Sequence, residues 1–208
     1  MNDIDFNKYK EYLKKRENPL IFDKKGKFVY FPVNKVMQTT IAREILKDRV
    51  IIRKDNPELW NYYFQKTDFN KVYKFGITRH PVKKFESAFN YLKSIEKWSE
   101  KLKIKNQGIN EFVKNRIKGC QNPYLINPHF EKQYKGFYCQ EQILIDELFQ
   151  MENEKHLDKL YQKLAVNEKR TTHMNKSRHL DLLDSESVQI LESVYKNDIY
   201  PLEYQSML

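Results

Sequence analysis

Apolar residues recur along this chain in two rhythms that take turns. Phe6, Tyr9 and Leu13, three to four apart within residues 5 to 16, predict a short amphipathic helix. The run Lys27-Phe28-Val29-Tyr30-Phe31 is short, aromatic and stopped by Pro32, which predicts a strand, and Thr39 to Leu46 then takes up helical spacing. Val50-Ile51-Ile52 predicts a second strand. It is followed by a helix opened at Asn56-Pro57 and running through Tyr63-Phe64, with Asn56 as N-cap and proline at the first helical position. Lys71 to Thr78 predicts the next strand. Directly after it, Arg79-His80-Pro81 opens a helix with Phe85, Ala88, Phe89 and Leu92 on one face. The strand, turn and helix sequence thus occurs twice in the first half of the chain.

Between residues 97 and 141 the periodicity loosens. A helix is expected over Ile109 to Ile117, but Gly119 to Pro123 and Asn127-Pro128 interrupt the pattern, and the segment reads as a functional insertion. Regularity returns at Ile143 to Phe149, a predicted strand, and then in a helix carrying Leu157, Leu160, Tyr161 and Leu164. Asp184-Ser185-Glu186-Ser187 is a capping signal before a last helix with Val188, Leu191, Val194 and Tyr195. Alternating strands and helices predict an α/β fold in one domain, residues 1 to 208, with a central, mainly parallel sheet flanked by helices. In such sheets ligands bind beyond the carboxyl ends of the strands, so the two strand-to-helix turns are the places to look for chemistry.

Composition narrows the classes. At 208 residues the chain is long enough for a core, and 14% aromatic residues argue against disorder although a third of the residues are charged. No apolar run approaches a bilayer span, and Met1-Asn2-Asp3-Ile4-Asp5 has no signal-peptide character, so the expected location is cytoplasmic. Cys120 and Cys139, without a second pair or a Cys-x-x-Cys, are expected to be reduced thiols, and no metal site is indicated. The net charge of +10 changes the picture more, because it points to anionic partners. By itself it does not distinguish nucleic acid, acidic lipid, nucleotide phosphate or acidic polysaccharide from lysine used simply for solvation.

The first turn, Pro32 to Thr40, brings Lys35 and the hydroxyls of Thr39 and Thr40 to the start of a helix. Backbone N–H groups there can cradle an anion while the lysine neutralises it. A helix cap beside a surface charge accounts for the same residues. No Gly-x-x-x-x-Gly-Lys-[Ser/Thr] occurs, which argues against an ATPase. The second turn is more telling. Arg79, leaving a buried strand, is placed to grip a phosphate, and Ser87, two helical turns on, can present a hydroxyl to the same group; an arginine paired to a carboxylate and a small residue at a helix packing point account for the same two positions.

These residues carry a resemblance. Arg79-His80-Pro81-x-x-Lys84-Phe85-x-Ser87-Ala88 resembles the 3'-phosphate-binding motif of sulfotransferases that use 3'-phosphoadenosine 5'-phosphosulfate (PAPS). Lys35-Val36-x-x-Thr39-Thr40-Ile41 is similar to their 5'-phosphosulfate loop. Asn127-Pro128-His129-Phe130-x-x-Gln133, Ile145-Asp146-x-x-Phe149-x-Met151-Glu152-Asn153, Asn175-Lys176-Ser177 and Tyr195-x-x-Asp198 resemble later segments of the carbohydrate branch of that family, a soluble bacterial-type member. The chain departs from the pattern at Met37-Gln38, where a small residue is usual, at Pro32, three positions early, and at Lys84, in place of a second arginine.

The resemblance implies a P-loop-kinase-like sulfotransferase fold, with residues 27 to 95 binding PAPS and residues 97 to 141 forming the acceptor side. It implies PAPS as donor and PAP as product without a metal, and a carbohydrate or glycoconjugate hydroxyl as acceptor. It places Lys35, Val36, Met37, Gln38, Thr39, Thr40, Arg79, Ser87, Lys176 and Ser177 at the nucleotide, Lys35 as the cation at the leaving group, and His129 as the base. Glu152 is the alternative base; His80, His156, His173 and His179 read as structural or solvated. Peripheral membrane contact and oligomeric state stay open. Nucleic acid is not expected as a partner, because the cations are scattered rather than gathered into a stripe; a basic nucleic-acid- or polyanion-binding module without catalysis is the alternative reading.

Overall fold

The computed structural model describes residues 20–46, 50–52, 71–139, 142–166, 182–199 and 207. The helices expected over residues 5 to 16 and 56 to 64, and the segment with Lys176 and Ser177, lie outside them. The chain divides into two units. The described parts of residues 1–33, 37–78 and 135–172 carry the sheet; those of 34–36, 79–134 and 173–208 carry most of the helices.

The strands of the sheet unit are β1 (Ile21–Asp23), β2 (Phe28–Phe31), β3 (Val50–Ile52), β4 (Tyr73–Thr78), β5 (Tyr138–Cys139), β6 (Gln142–Ile143) and β7 (Glu147–Gln150). Five of them form a sheet in the order β3-β1-β2-β4-β7, and β5 and β6 make a hairpin apart from it. The expected parallel arrangement holds for β2, β4 and β7, with Phe28 opposite Tyr73 and Phe75 opposite Glu147. β1 pairs antiparallel with both β2 and β3, so the sheet is mixed. All four residues of β2 are buried, as expected of a strand covered on both faces. Tyr30 stacks on Phe75 at 5.0 Å between ring centroids, and Phe75 meets Phe149 edge-on.

Strand β1 is not among the elements that periodicity predicts. Its turn is built by Asp23, whose carboxylate accepts the N–H of Lys25 and of Lys27, while Gly26 takes the left-handed conformation at φ 70°. The strand expected over Ile143 to Phe149 is two strands. Between them Leu144 N–H donates to Phe137 O, and Asp146 ties back to β4 by accepting the Lys74 N–H while donating its own to Lys74 O. The aspartate turns the chain out of one ladder and into the other.

In the helical unit, α1 (Pro81–Ser94), α2 (Glu96–Lys101), α3 (Ile109–Phe112) and α5 (Ser185–Val194) surround one core; α4 (Glu154–Lys163) belongs to the sheet unit and α6 (Lys196–Ile199) is the last described helix. Val82, Phe85, Phe89 and Leu92 of α1 pack with Phe112, Val113, Ile117, Phe130, Leu191 and Tyr195. Asp184 caps α5 by accepting the Ser187 N–H at 2.7 Å, as its sequence signal implies. Among the described residues no helix is long and apolar enough to cross a membrane.

Candidate active site

Lys35 lies in a turn whose backbone is unusual. Both Lys35 (φ 64°) and Met37 (φ 46°) are left-handed without being glycine, a conformation that costs each about 1 kcal/mol or more. The small residue that the resemblance leads one to expect is missing at Met37, yet the backbone adopts the shape such a residue favours. The Lys35 ammonium lies 3.9 Å from the centre of the Tyr91 ring, a cation–π contact. Burial, and then the Arg79 guanidinium, hold its pKa down to about 8. Both influences disfavour a charge on Lys35, so an anion bound beside it would relieve the repulsion between the two cations.

Arg79 follows β4 directly, and the Gln133 side chain holds its backbone. Its N–H donates to Gln133 Oε1 at 3.0 Å, and its carbonyl accepts from Gln133 Nε2 at 2.7 Å. Gln133 is itself fixed, because Asp198 accepts the N–H groups of Gln133 and Tyr134 at 2.8 and 2.9 Å. Both Gln133 and Asp198 are buried.

His129 stands in a short turn, Pro128–Phe130, whose N-cap is Asn127. Asn127 Oδ1 accepts the His129 backbone N–H at 2.9 Å and lies 2.9 Å from ring Nδ1. An oxygen that already accepts a main-chain N–H can only accept, so Nδ1 carries the ring proton and Nε2 keeps a lone pair. Burial first, then Lys35 and Lys84, push the imidazole down to about 4, so it is neutral near pH 7. Its ring centre lies 5.3 Å from that of Tyr91.

The turn is held from below by Lys84. Its buried ammonium donates to His129 O at 2.9 Å and Glu131 O at 2.8 Å, while Tyr195 Oη donates to Phe130 O at 2.6 Å. Three successive carbonyls are thereby tied to α1 and to the end of α5. Burial lowers the Lys84 pKa to about 8, against the opposing pull of Asp198 and Glu131. Where the resemblance has a second arginine, this chain has a buried lysine whose donors are occupied by main-chain carbonyls.

Lys84, Ser87 and Tyr91 stand at i, i+3 and i+7 on α1 and share a face of it. The structure therefore brings Lys35, Arg79, Ser87 and His129 into one unit, though they lie up to 94 positions apart in sequence. Val36 is buried in the same unit. Met37, Gln38, Thr39 and Thr40 belong to the sheet unit, at the start of a six-residue helix, Thr40–Ile45, with the wider π-type hydrogen bonding of Leu46 N–H to Ile41 O. Thr39 is its N-cap but makes no side-chain capping bond, so capping does not account for that hydroxyl.

Among the remaining residues singled out, Glu152 is exposed in the turn before α4, and His156 Nδ1 accepts the Gln150 N–H at 3.1 Å, a structural role. His80 is buried at the N-cap of α1, and Cys120 is a free thiol. Lys176, Ser177, His173 and His179 lie outside the described residues. Among the described residues no three His, Cys, Asp or Glu side chains gather as a metal site would require. Periodicity alone missed Tyr91, although its spacing from Lys84 marks the shared face; it gave Gln133 and Asp198 no role, and Tyr195 only a place on the last helix.

Comparison of the chain with protein-family models, with curated proteins and with solved structures finds no match.

Proposed function

We propose that this chain is a PAPS-dependent sulfotransferase of P-loop-kinase-like fold, acting in the cytoplasm on a hydroxyl of a carbohydrate or glycoconjugate. The observation that carries the reading is the gathering of Lys35, Arg79 and His129, from three separate turns, into one half-buried cluster. A lysine whose charge is disfavoured by burial and by the neighbouring Arg79, beside an imidazole kept neutral with a lone pair on Nε2, suits an anionic donor and a neutral acceptor. When bound, PAPS supplies the sulfuryl group and leaves as PAP.

Each residue then has a chemical task. Lys35 neutralises charge that accumulates on the bridging oxygen of the leaving group, where a preformed cation is most effective. Arg79 and Ser87 hold the 3'-phosphate, the guanidinium by paired hydrogen bonds and the serine by its hydroxyl. His129 Nε2 takes the proton from the acceptor hydroxyl, and Asn127 keeps the ring in the tautomer that leaves Nε2 free. Thr39 makes no side-chain capping bond, and on the resemblance alone Thr39, Thr40 and the backbone of Val36 to Gln38 are assigned to the sulfuryl oxygens. Lys176 and Ser177 are assigned to the nucleotide on the resemblance alone.

The test is calorimetric titration of the purified chain with PAP, with ATP and 5'-AMP as controls. Micromolar binding of PAP with much weaker binding of the other two supports the reading and makes transfer from PAPS to a panel of sugars the next assay. Equal binding of all three would replace it by the polyanion-binding module.

A further inference from the structure

We infer that Gln133, fixed in turn by Asp198, is the positioning residue that sets the Arg79 clamp. The inference rests on the proposed function for the identity of the ligand, and on the hydrogen bonds for everything else.

Arg79 occupies a gap between two regular elements. The β4–β7 ladder ends at Thr78 opposite Gln150, and the ladder of α1 starts with Lys84 N–H on His80 O. At this junction the Arg79 N–H and carbonyl are both bonded by one side chain. A primary amide is the one side chain that presents a donor and an acceptor side by side, and Gln133 uses both on Arg79, as a neighbouring strand would. Two bonds to one residue fix its φ and ψ, and with them the direction in which the side chain leaves the chain. Pro81, two positions on, stiffens the other side.

Gln133 cannot drift, because Asp198 grips the peptide at Gln133 and the next one at Tyr134. Asp198 lies fully buried on α6, three residues beyond Tyr195, which holds Phe130 O in the same segment. Gln133 and Asp198 are 65 positions apart in sequence, so α6 reaches Arg79 through one glutamine. Burial raises the Asp198 carboxyl to about 6 against the lowering effect of the two N–H donors and of Lys84 and Lys132. A buried carboxylate kept for two main-chain donors is a costly way to hold a loop, and it is understandable where the loop sets a binding group.

The experiment measures affinity for PAP and for 5'-AMP, which lacks the 3'-phosphate, in full-length wild type, Gln133→Met, Arg79→Ala, the double variant and Asp198→Asn. Thermal melts accompany each. Losing two hydrogen bonds of ordinary strength, Gln133→Met should bind PAP about tenfold more weakly while 5'-AMP changes less than about twofold. The double variant should bind PAP no worse than Arg79→Ala, because both changes remove the same clamp. Equal loss for PAP and 5'-AMP, or an unchanged preference in a variant that melts normally, would overturn the positioning role. If Gln133→Met does not fold, Asp198→Asn decides in the same way, since its amide can accept only one of the two N–H groups. A wild type without any preference for PAP overturns the proposed function itself, a result distinct from a wild-type preference that survives Gln133→Met.

Discussion

At the scale of single residues, the site is a set of charges placed where water screens them little. Burial first, and then Arg79, make the Lys35 charge less favourable, and its pKa of about 8 expresses both. Arg79→Ala should weaken PAP binding by about 2 to 4 kcal/mol, the strength of charge-assisted hydrogen bonds to a phosphate, whereas Lys35→Ala should lower turnover more than affinity. Calorimetry and steady-state kinetics on the two variants separate the roles. The pH profile follows from the same shifts. In the proposed mechanism Lys35 acts protonated, and its depressed pKa means that its charge is lost as pH rises past about 8; His129 acts neutral, and its depressed pKa means that it is neutral above about 4. The profile of kcat/KM should therefore be a bell with its alkaline limb near the first value and its acid limb near the second. His129→Gln should abolish the acid limb together with most of the turnover. An acid limb and a turnover that His129→Gln leaves unchanged would remove the imidazole from the mechanism.

At the scale of elements, the turn Asn127 to Tyr134 owes its shape to side chains that reach it from elsewhere. Lys84, Tyr195 and Asp198 satisfy main-chain groups at residues 129, 130, 131, 133 and 134. Lys84→Met keeps the length of the side chain but removes the buried ammonium that donates to the His129 and Glu131 carbonyls, and should cost about 2 to 4 kcal/mol of stability, read from denaturant melts. Strand β4 shows a tighter constraint. A Cβ at Gly76 would run into the Phe137 ring, so Gly76→Ala should destabilise the sheet unit by about 1 to 3 kcal/mol. Gly76 is buried in a strand whose other residues are mostly aromatic or branched, and a glycine in that setting marks close approach. The same scale explains the elements that periodicity misjudges. Ile143 to Phe149 has the apolar content of one strand, but Asp146 pairs its carboxylate with the Lys74 N–H and divides it. Strand β1 was legible in principle, since Asp23 and Gly26 are turn residues between two apolar runs.

At the scale of the whole chain, the charge of +10 and the site make different claims on salt. Attraction by scattered surface lysines is screened beyond about 10 Å at roughly 0.1 M salt, while paired hydrogen bonds to a half-buried arginine are not. Raising the salt from about 0.1 to about 0.5 M should therefore weaken PAP and ATP binding together but leave the ratio between them nearly unchanged. A ratio that collapses toward one would show that surface charge, and not the clamp, had done the selecting. Much of the architecture was written locally. The β2 and β4 runs, the α1 face of Phe85, Phe89 and Leu92, and the Asp184 cap depend on residues a few positions apart, and periodicity reports such relations directly. The parallel pairing of β4 with β2 and β7 and the partners of Arg79 and Lys84 depend on residues 45 to 72 positions apart, and no local pattern contains them. The sequence by itself determined which turns carry cations and an imidazole. Only the tertiary structure decided that these groups are close and half-buried, because desolvation and mutual repulsion, the effects that set their pKa values, act across space and not along the chain.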